Sequence, residues 1–85
     1  MLMKREEIIE KLRYILISAD DRNAEKYKTC TEDANIATDL GLSSVGLLYI
    51  VIAIEEEFGI RFDSVGASDF RVLGDVVDYI EEKLK

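Results

Sequence analysis

A chain of 85 residues, 48% hydrophobic and 34% charged, has room for one small domain and not for two, with a thin core and no depth for an enzyme cleft. It holds no histidine, tryptophan or proline and one cysteine, Cys30, so the commonest general base and zinc ligand are missing and neither an intrachain disulfide nor a thiolate cluster can form; no catalytic residue and no metal site are expected. Eleven basic against eighteen acidic residues give a net charge of −7, which repels a phosphate backbone and excludes nucleic acid as a partner.

Three segments place apolar residues at helical spacing, and strand-type alternation is scarce. The predicted fold class is all-α, a small antiparallel bundle of three main helices plus a short fourth, with residues 1–85 as a single domain. The first segment, Lys4 to Ala19, gathers Ile8, Leu12, Ile15 and Leu16 on one side and turns Glu6, Glu10, Lys11 and Arg13 elsewhere. Its charged start carries no continuous apolar run of signal-peptide type, and the longest uncharged stretch, Leu40 to Ile54, is too short to span a bilayer, so no membrane association and a cytoplasmic location are expected. Asp20 to Leu42 reads as a long polar loop with Ile36 and Leu40 as apolar anchors and Cys30 as an unremarkable thiol, able to pair between chains if exposed.

The next helix is predicted to start at the serine pair Ser43-Ser44, where a serine before an apolar run supplies an N-cap oxygen, and to stop at Gly59. Helical spacing collects Leu47, Ile50, Val51, Ile54 and Phe58 as the core stripe. The opposite stripe, Val45, Leu48, Tyr49, Ile52 and Glu56, is apolar where a surface helix is normally charged; a docking partner, a second copy of the chain or the preceding loop could cover it. Phe62 to Phe70 reads as a turn or short helix around Gly66, and Leu73 to Leu84 as the last helix, with Val76, Val77, Ile80 and Leu84 inward. Arg61, Phe62, Phe70 and Tyr79 read as packing or surface residues.

Charge is uneven along the chain. Residues 1–38 carry seven basic and eight acidic side chains, and residues 39–85 carry four against ten, so a basic partner is steered toward the second half.

The run Asp39-Leu40-Gly41-Leu42-Ser43-Ser44-Val45, followed by Ala53-Ile54-Glu55-Glu56-Glu57-Phe58-Gly59, resembles the acyl carrier protein family, in which a D-L-G-x-D-S-L motif opens the second helix. The resemblance extends over most of the chain, through the helix order and the closing Asp78-Tyr79-Ile80 run, and is weakest over Asp20 to Ala37. It implies that Ser44 is esterified to 4′-phosphopantetheine, donated by coenzyme A and attached by a separate phosphopantetheinyl transferase, and that Ser43 stands at the motif's aspartate position. Ser44 is then a substrate hydroxyl on a carrier that is not an enzyme, which agrees with the missing histidines. A serine at a helix start also tolerates an attached anion, because free N–H groups and the helix dipole favour negative charge there.

The resemblance further implies acyl thioesters delivered to fatty acid, polyketide or related enzymes by a monomeric carrier that meets acyl-transferring and condensing enzymes in turn. Asp39, Ser43, Val45, Leu48, Tyr49, Ile52, Glu55 and Glu56 become the expected partner-binding residues, and Leu47, Val51, Ile54, Phe58 and Phe62 an expandable pocket for the acyl tail. The acidic row typical of such carriers is reduced to Glu55 and Glu56, with Ser43, Gly46 and Tyr49 elsewhere along it, which points to docking that relies more on apolar contact. Gly46 in a first turn costs up to about 1 kcal/mol relative to alanine and leaves this helix end prone to fray. Ser43 reads as the cap, Asp39 either as a turn-former or a transferase contact, and Glu55 to Glu57 either as a solvated helix end or a docking element. Two other readings stand beside the acyl carrier: a peptidyl or aminoacyl carrier of nonribosomal type, and an unmodified helical protein-binding module, in which one of two serines only caps a helix.

Overall fold

The computed structural model describes residues 3–63, 66 and 69–85. Helix α1 spans Arg5–Ala19, a 3₁₀ turn follows at Asp21–Asn23, α2 spans Ala24–Lys28, α3 Ser44–Phe58 and α4 Leu73–Leu84. The three long helices agree with the sequence expectation to within a residue, because each is periodic and each boundary carries chemistry that stops it. At the start of α1 the Glu7 carboxylate accepts the Lys4 backbone N–H (2.9 Å), satisfying one of the donors that a helix start leaves free. At the start of α4 the Asp75 carboxylate accepts the backbone N–H groups of Arg71 (2.9 Å) and Val72 (3.2 Å), which holds its carboxyl below the usual carboxylate range.

The stretch expected as an unbroken loop is not one. It contains the 3₁₀ turn and the five-residue α2, too short for apolar periodicity to register and stabilised by packing rather than propensity. Tyr27 supplies that packing: it is 1% exposed, and its hydroxyl donates to Asp20 (3.1 Å), which also accepts from the Asn23 side chain. The Cys30 thiol is buried as well, its ionisation pushed up by that burial, so the exposure that pairing between chains would require is absent from this fold. Arg13 of α1 fixes the segment by donating to the Cys30 carbonyl from Nε (3.0 Å) and Nη2 (2.7 Å). The short helix read at Phe62 to Phe70 includes residues 64, 65, 67 and 68, which lie outside the described residues.

Beyond Cys30 the chain is pinned to the start of α4 by an isolated antiparallel bridge between Asn35 and Val72. Ile36 N–H donates to the Arg71 carbonyl, Leu73 N–H to Ala34 and Gly74 N–H to Glu32, each at 2.9 Å. Arg5 of α1 closes the same corner, bonding Glu32 and Asp78 at 2.8 Å and pairing with Glu81. The core is the shared apolar face of the long helices: Ile8, Leu12 and Leu16 of α1, Leu47, Ile50 and Ile54 of α3, Val76, Val77 and Ile80 of α4, with Ile36 and Leu40 buried as the anchors anticipated. Among the described residues no charged side chain is buried, as expected where no buried partner offsets the cost of removing a charge from water.

Candidate functional site

The twin serines divide two roles between them. Ser43 is extended (φ −77°, ψ 173°) and its Oγ accepts the Gly46 backbone N–H at 3.1 Å, so it is the N-cap of α3. Ser44 is the first helical residue; it is exposed, and its hydroxyl makes no hydrogen bond among the described residues. The turn leading to the pair is tied by hydrogen bonds. Asn35 Oδ1 accepts the N–H groups of Ala37 (3.0 Å) and Thr38 (2.9 Å), the Asp39 carboxylate accepts the Asn35 N–H (2.8 Å), and Leu42 N–H returns to the Ile36 carbonyl (3.0 Å). Gly41 stands in this turn at φ +68°, a conformation that favours glycine. Asp39 therefore orients the loop that presents the serines, one of the two roles open to it from the sequence.

Two hollows flank Ser44. One, of about 360 Å³, is lined by Ser44, Val45, Leu47, Leu48, Val51, Phe62, Gly66 and Phe70 and is almost wholly apolar. The other, of about 330 Å³ and more polar, lies toward Asn35, Ala37, Ser43 and Arg71. Of the five expected pocket residues, Leu47, Val51 and Phe62 line the apolar hollow; Ile54 and Phe58 do not. Ile54, two turns beyond Leu47, is 1% exposed and closed within the core cluster, while Phe58 at the helix end packs half-buried against the core. Val45 and Leu48 join the hollow's rim instead, and Gly66 and Phe70 enter from a distant part of the chain. Phe70 is fixed edge-on against Phe62 (ring centroids 5.7 Å) and Tyr79 (5.9 Å), and Phe62 stacks on Tyr79 at 4.6 Å. The Tyr79 hydroxyl accepts the Asp63 N–H (3.1 Å), and Lys83 bonds Asp63 (2.9 Å), holding its carboxyl below the usual range. That cluster keeps the wall of the hollow in place.

The outward stripe of α3 is uncovered: Val45 is 65%, Leu48 60%, Tyr49 69% and Ile52 48% exposed, so the 20–42 loop does not shield it. Tyr14 of α1, which helical spacing leaves off the core face, is 68% exposed and shares a mixed surface depression with Ala53, Glu56 and Glu57 at the far end of α3. The three glutamates at the end of α3 part company. Glu55 Oε2 accepts the Phe62 backbone N–H (2.8 Å), Glu57 pairs with Lys11 (3.0 Å), and Glu56 alone stays outward without an ion pair among the described residues. The expected docking residue Glu55 is thus engaged in holding the chain after Gly59, which ends α3 at φ +67° with its N–H on the Glu55 carbonyl (2.9 Å).

An exposed, unengaged hydroxyl at a helix start, flanked by two open hollows, fits a group attached through a long flexible chain: its oxygen is reachable, and a phosphate placed there meets free backbone N–H groups. Among the described residues no cluster of metal-ligating side chains is present, and no helix is long and apolar enough to cross a membrane.

Comparison with known proteins accords with this geometry. Residues 10–80 match the family model described as the phosphopantetheine attachment site. The chain is 34% identical to an acyl carrier protein of Thermotoga maritima, covering 98% of this chain and 99% of that protein, and 38% identical to one of Caulobacter vibrioides, covering 91% and 95%. In fold it superposes on the solution structure of a candidate acyl carrier protein from Anaplasma phagocytophilum with a TM-score of 0.77 at 24% identity, over 100% of this chain and 97% of that one. The protein belongs to the acyl carrier protein family and is a carrier dependent on 4′-phosphopantetheine, not an enzyme.

Proposed function

We propose that Ser44 bears the 4′-phosphopantetheine, that residues 1–85 act as a single carrier domain, and that the domain works as a monomer in the cytoplasm. The observation that carries the reading is the division of labour between the serines: Ser43 is committed to capping α3, and Ser44 beside it presents a free hydroxyl at the motif's serine position. Interaction with a phosphopantetheinyl transferase and with biosynthetic enzymes comes with membership of the family; the residues that meet them are part of the proposal. The exposed apolar stripe Val45, Leu48, Tyr49 and Ile52, with Glu56 at its end, is the docking face, and Ser43 and Asp39 support it by shaping the approach to Ser44. With Glu55 and Glu57 occupied within the fold, direct contact at the docking face relies on the apolar stripe and Glu56, while the acidic second half of the chain still steers the approach.

The apolar hollow beside Ser44, rather than the Ile54–Phe58 end of the core stripe, is the place where an acyl tail lodges, with Leu47, Val51 and Phe62 as its lining. Tethering supports weak and successive docking, since an arm raises the local concentration of its cargo wherever the carrier binds. Co-expression with a phosphopantetheinyl transferase, followed by intact mass, tests the reading: one pantetheine adduct on the wild type and none on Ser44→Ala supports it, and an adduct on Ser44→Ala contradicts it. An unmodified chain after exposure to several transferases likewise contradicts Ser44 as the attachment point.

A further inference from the structure

The more polar of the two hollows beside Ser44 has a charged residue in its lining that the apolar one lacks. Arg71 lines it, and between residues 39 and 82 the sequence holds only one other basic residue, Arg61. Arg71 is brought there by backbone bonds on both sides: its carbonyl accepts the Ile36 N–H (2.9 Å), Ile36 in turn accepts the Leu42 N–H (3.0 Å), and its own N–H is held by Asp75 (2.9 Å). The Asp75 carboxylate is thereby occupied by the backbone, and among the described residues no carboxylate forms an ion pair with the Arg71 guanidinium, whereas Arg5, Arg13 and Arg22 all have such pairs. The side chain is exposed. An anion fixed to Ser44 in a chain of net charge −7 has few positive groups to turn to, and the one that lines the same groove is Arg71.

Resting on Ser44 as the attachment point, we infer that Arg71 binds the phosphodiester of the attached arm, drawing its first segment into the groove walled by Asn35, Ala37 and Ser43 and away from the apolar hollow. A phosphodiester accepts hydrogen bonds from a guanidinium in a planar, two-pronged arrangement that a lysine ammonium reproduces only as a point charge. The groove mixes Asn35 and Ser43 with Ile36, Leu42, Leu47 and Phe70, so it offers hydrogen-bonding partners to the amides that follow the phosphodiester and apolar contact to the methylenes between them. Arg71 is a positioning residue: it forms no part of the attachment chemistry and sets the side of α3 on which the arm rests.

The test compares ¹⁵N spectra of the unmodified and pantetheinylated protein, for the wild type, Arg71→Gln and Arg71→Lys, after intact mass has established loading. In the wild type, loading shifts the Arg71 Nε–Hε signal and the Ala37 and Val72 amides, which are remote in sequence from Ser44. These shifts shrink as salt rises toward about 0.5 M, where charges are screened over a few ångströms. In loaded Arg71→Gln the Ala37 and Val72 amides return to their unmodified positions, and Arg71→Lys restores part of the shift. An adduct whose perturbations are confined to Val45, Leu48, Val51 and Gly66, with Arg71 Nε unmoved, overturns the role of Arg71 and leaves Ser44 standing. Failure of every variant and the wild type to accept an adduct overturns the attachment reading and this inference with it.

Discussion

Exchanging each of the twin serines for alanine separates structure from chemistry. Ser43 Oγ satisfies the Gly46 N–H at 3.1 Å, and loss of such a cap costs about 1 kcal/mol, within a range of about 0.5–2. In a domain of this size each 1 kcal/mol lowers the melting temperature by about 4–8 °C. With a urea m-value near the low end for small domains, about 1 kcal/mol/M, the midpoint of Ser43→Ala should fall by about 1 M with the slope unchanged. Ser44→Ala removes a hydroxyl that bonds to nothing among the described residues and puts the best helix former at the first helical position, so its stability should match the wild type or exceed it by a few tenths of a kcal/mol. Intact mass after treatment with a transferase should show the opposite order: Ser43→Ala loaded, Ser44→Ala bare. A Ser44→Ala protein less stable than Ser43→Ala, or a folded Ser43→Ala that accepts no adduct, would refute the assignment of the two roles.

Other predictions follow from single contacts. Gly46→Ala should raise the melting temperature, by up to about 4–8 °C if the full helix-propensity gain of about 1 kcal/mol is realised, because a Cβ there meets Ser43 Oγ at 3.5 Å and Leu42 at 3.6 Å without crowding; thermal denaturation followed by circular dichroism reads it. Asp75 is held below its ordinary carboxyl value by the Arg71 and Val72 N–H groups, so its contribution to stability is present above the unfolded value of about 4 and is lost as pH falls through the lower folded value. Asp75→Asn should therefore flatten the fall in urea midpoint between about pH 5 and pH 2, and a slope identical to the wild type would remove the carboxylate from the account. Ile52→Ala, at a site 48% exposed, should change stability by less than about 0.5 kcal/mol while raising the KM of the transferase for the carrier; an unchanged KM would take Ile52 out of the docking face.

The long helices were legible in the sequence because periodicity and end signals coincide. Ser43 and Gly59 bracket α3 by a capping oxygen and a left-handed residue, and the structure uses both as such. Helix α2 was not legible: five residues with one buried side chain, Tyr27, produce no apolar period, and its stability comes from contacts with α1 that only the folded chain supplies. The site was readable where it lies on α3 and not where other segments complete it. Helical spacing puts Leu47 and Val51 on one stripe of α3 and the family resemblance makes that stripe a pocket wall, but Phe70, Gly66 and Arg71 come beside Ser44 from segments far apart in sequence, Arg71 next to the Asn35–Val72 bridge and Phe70 within the aromatic cluster. Likewise the charges of Glu55, Glu56 and Glu57 are visible in the sequence, but their separate fates depend on where the Phe62 backbone and Lys11 come to rest.

The most direct measurement is the position of the adduct within the loaded chain, read by fragmenting the proteolytic peptide that holds both serines so that the two side chains are resolved. The pantetheine mass should fall on Ser44 with Ser43 unmodified; an adduct on Ser43, or on any other side chain, would contradict Ser44 as the attachment point.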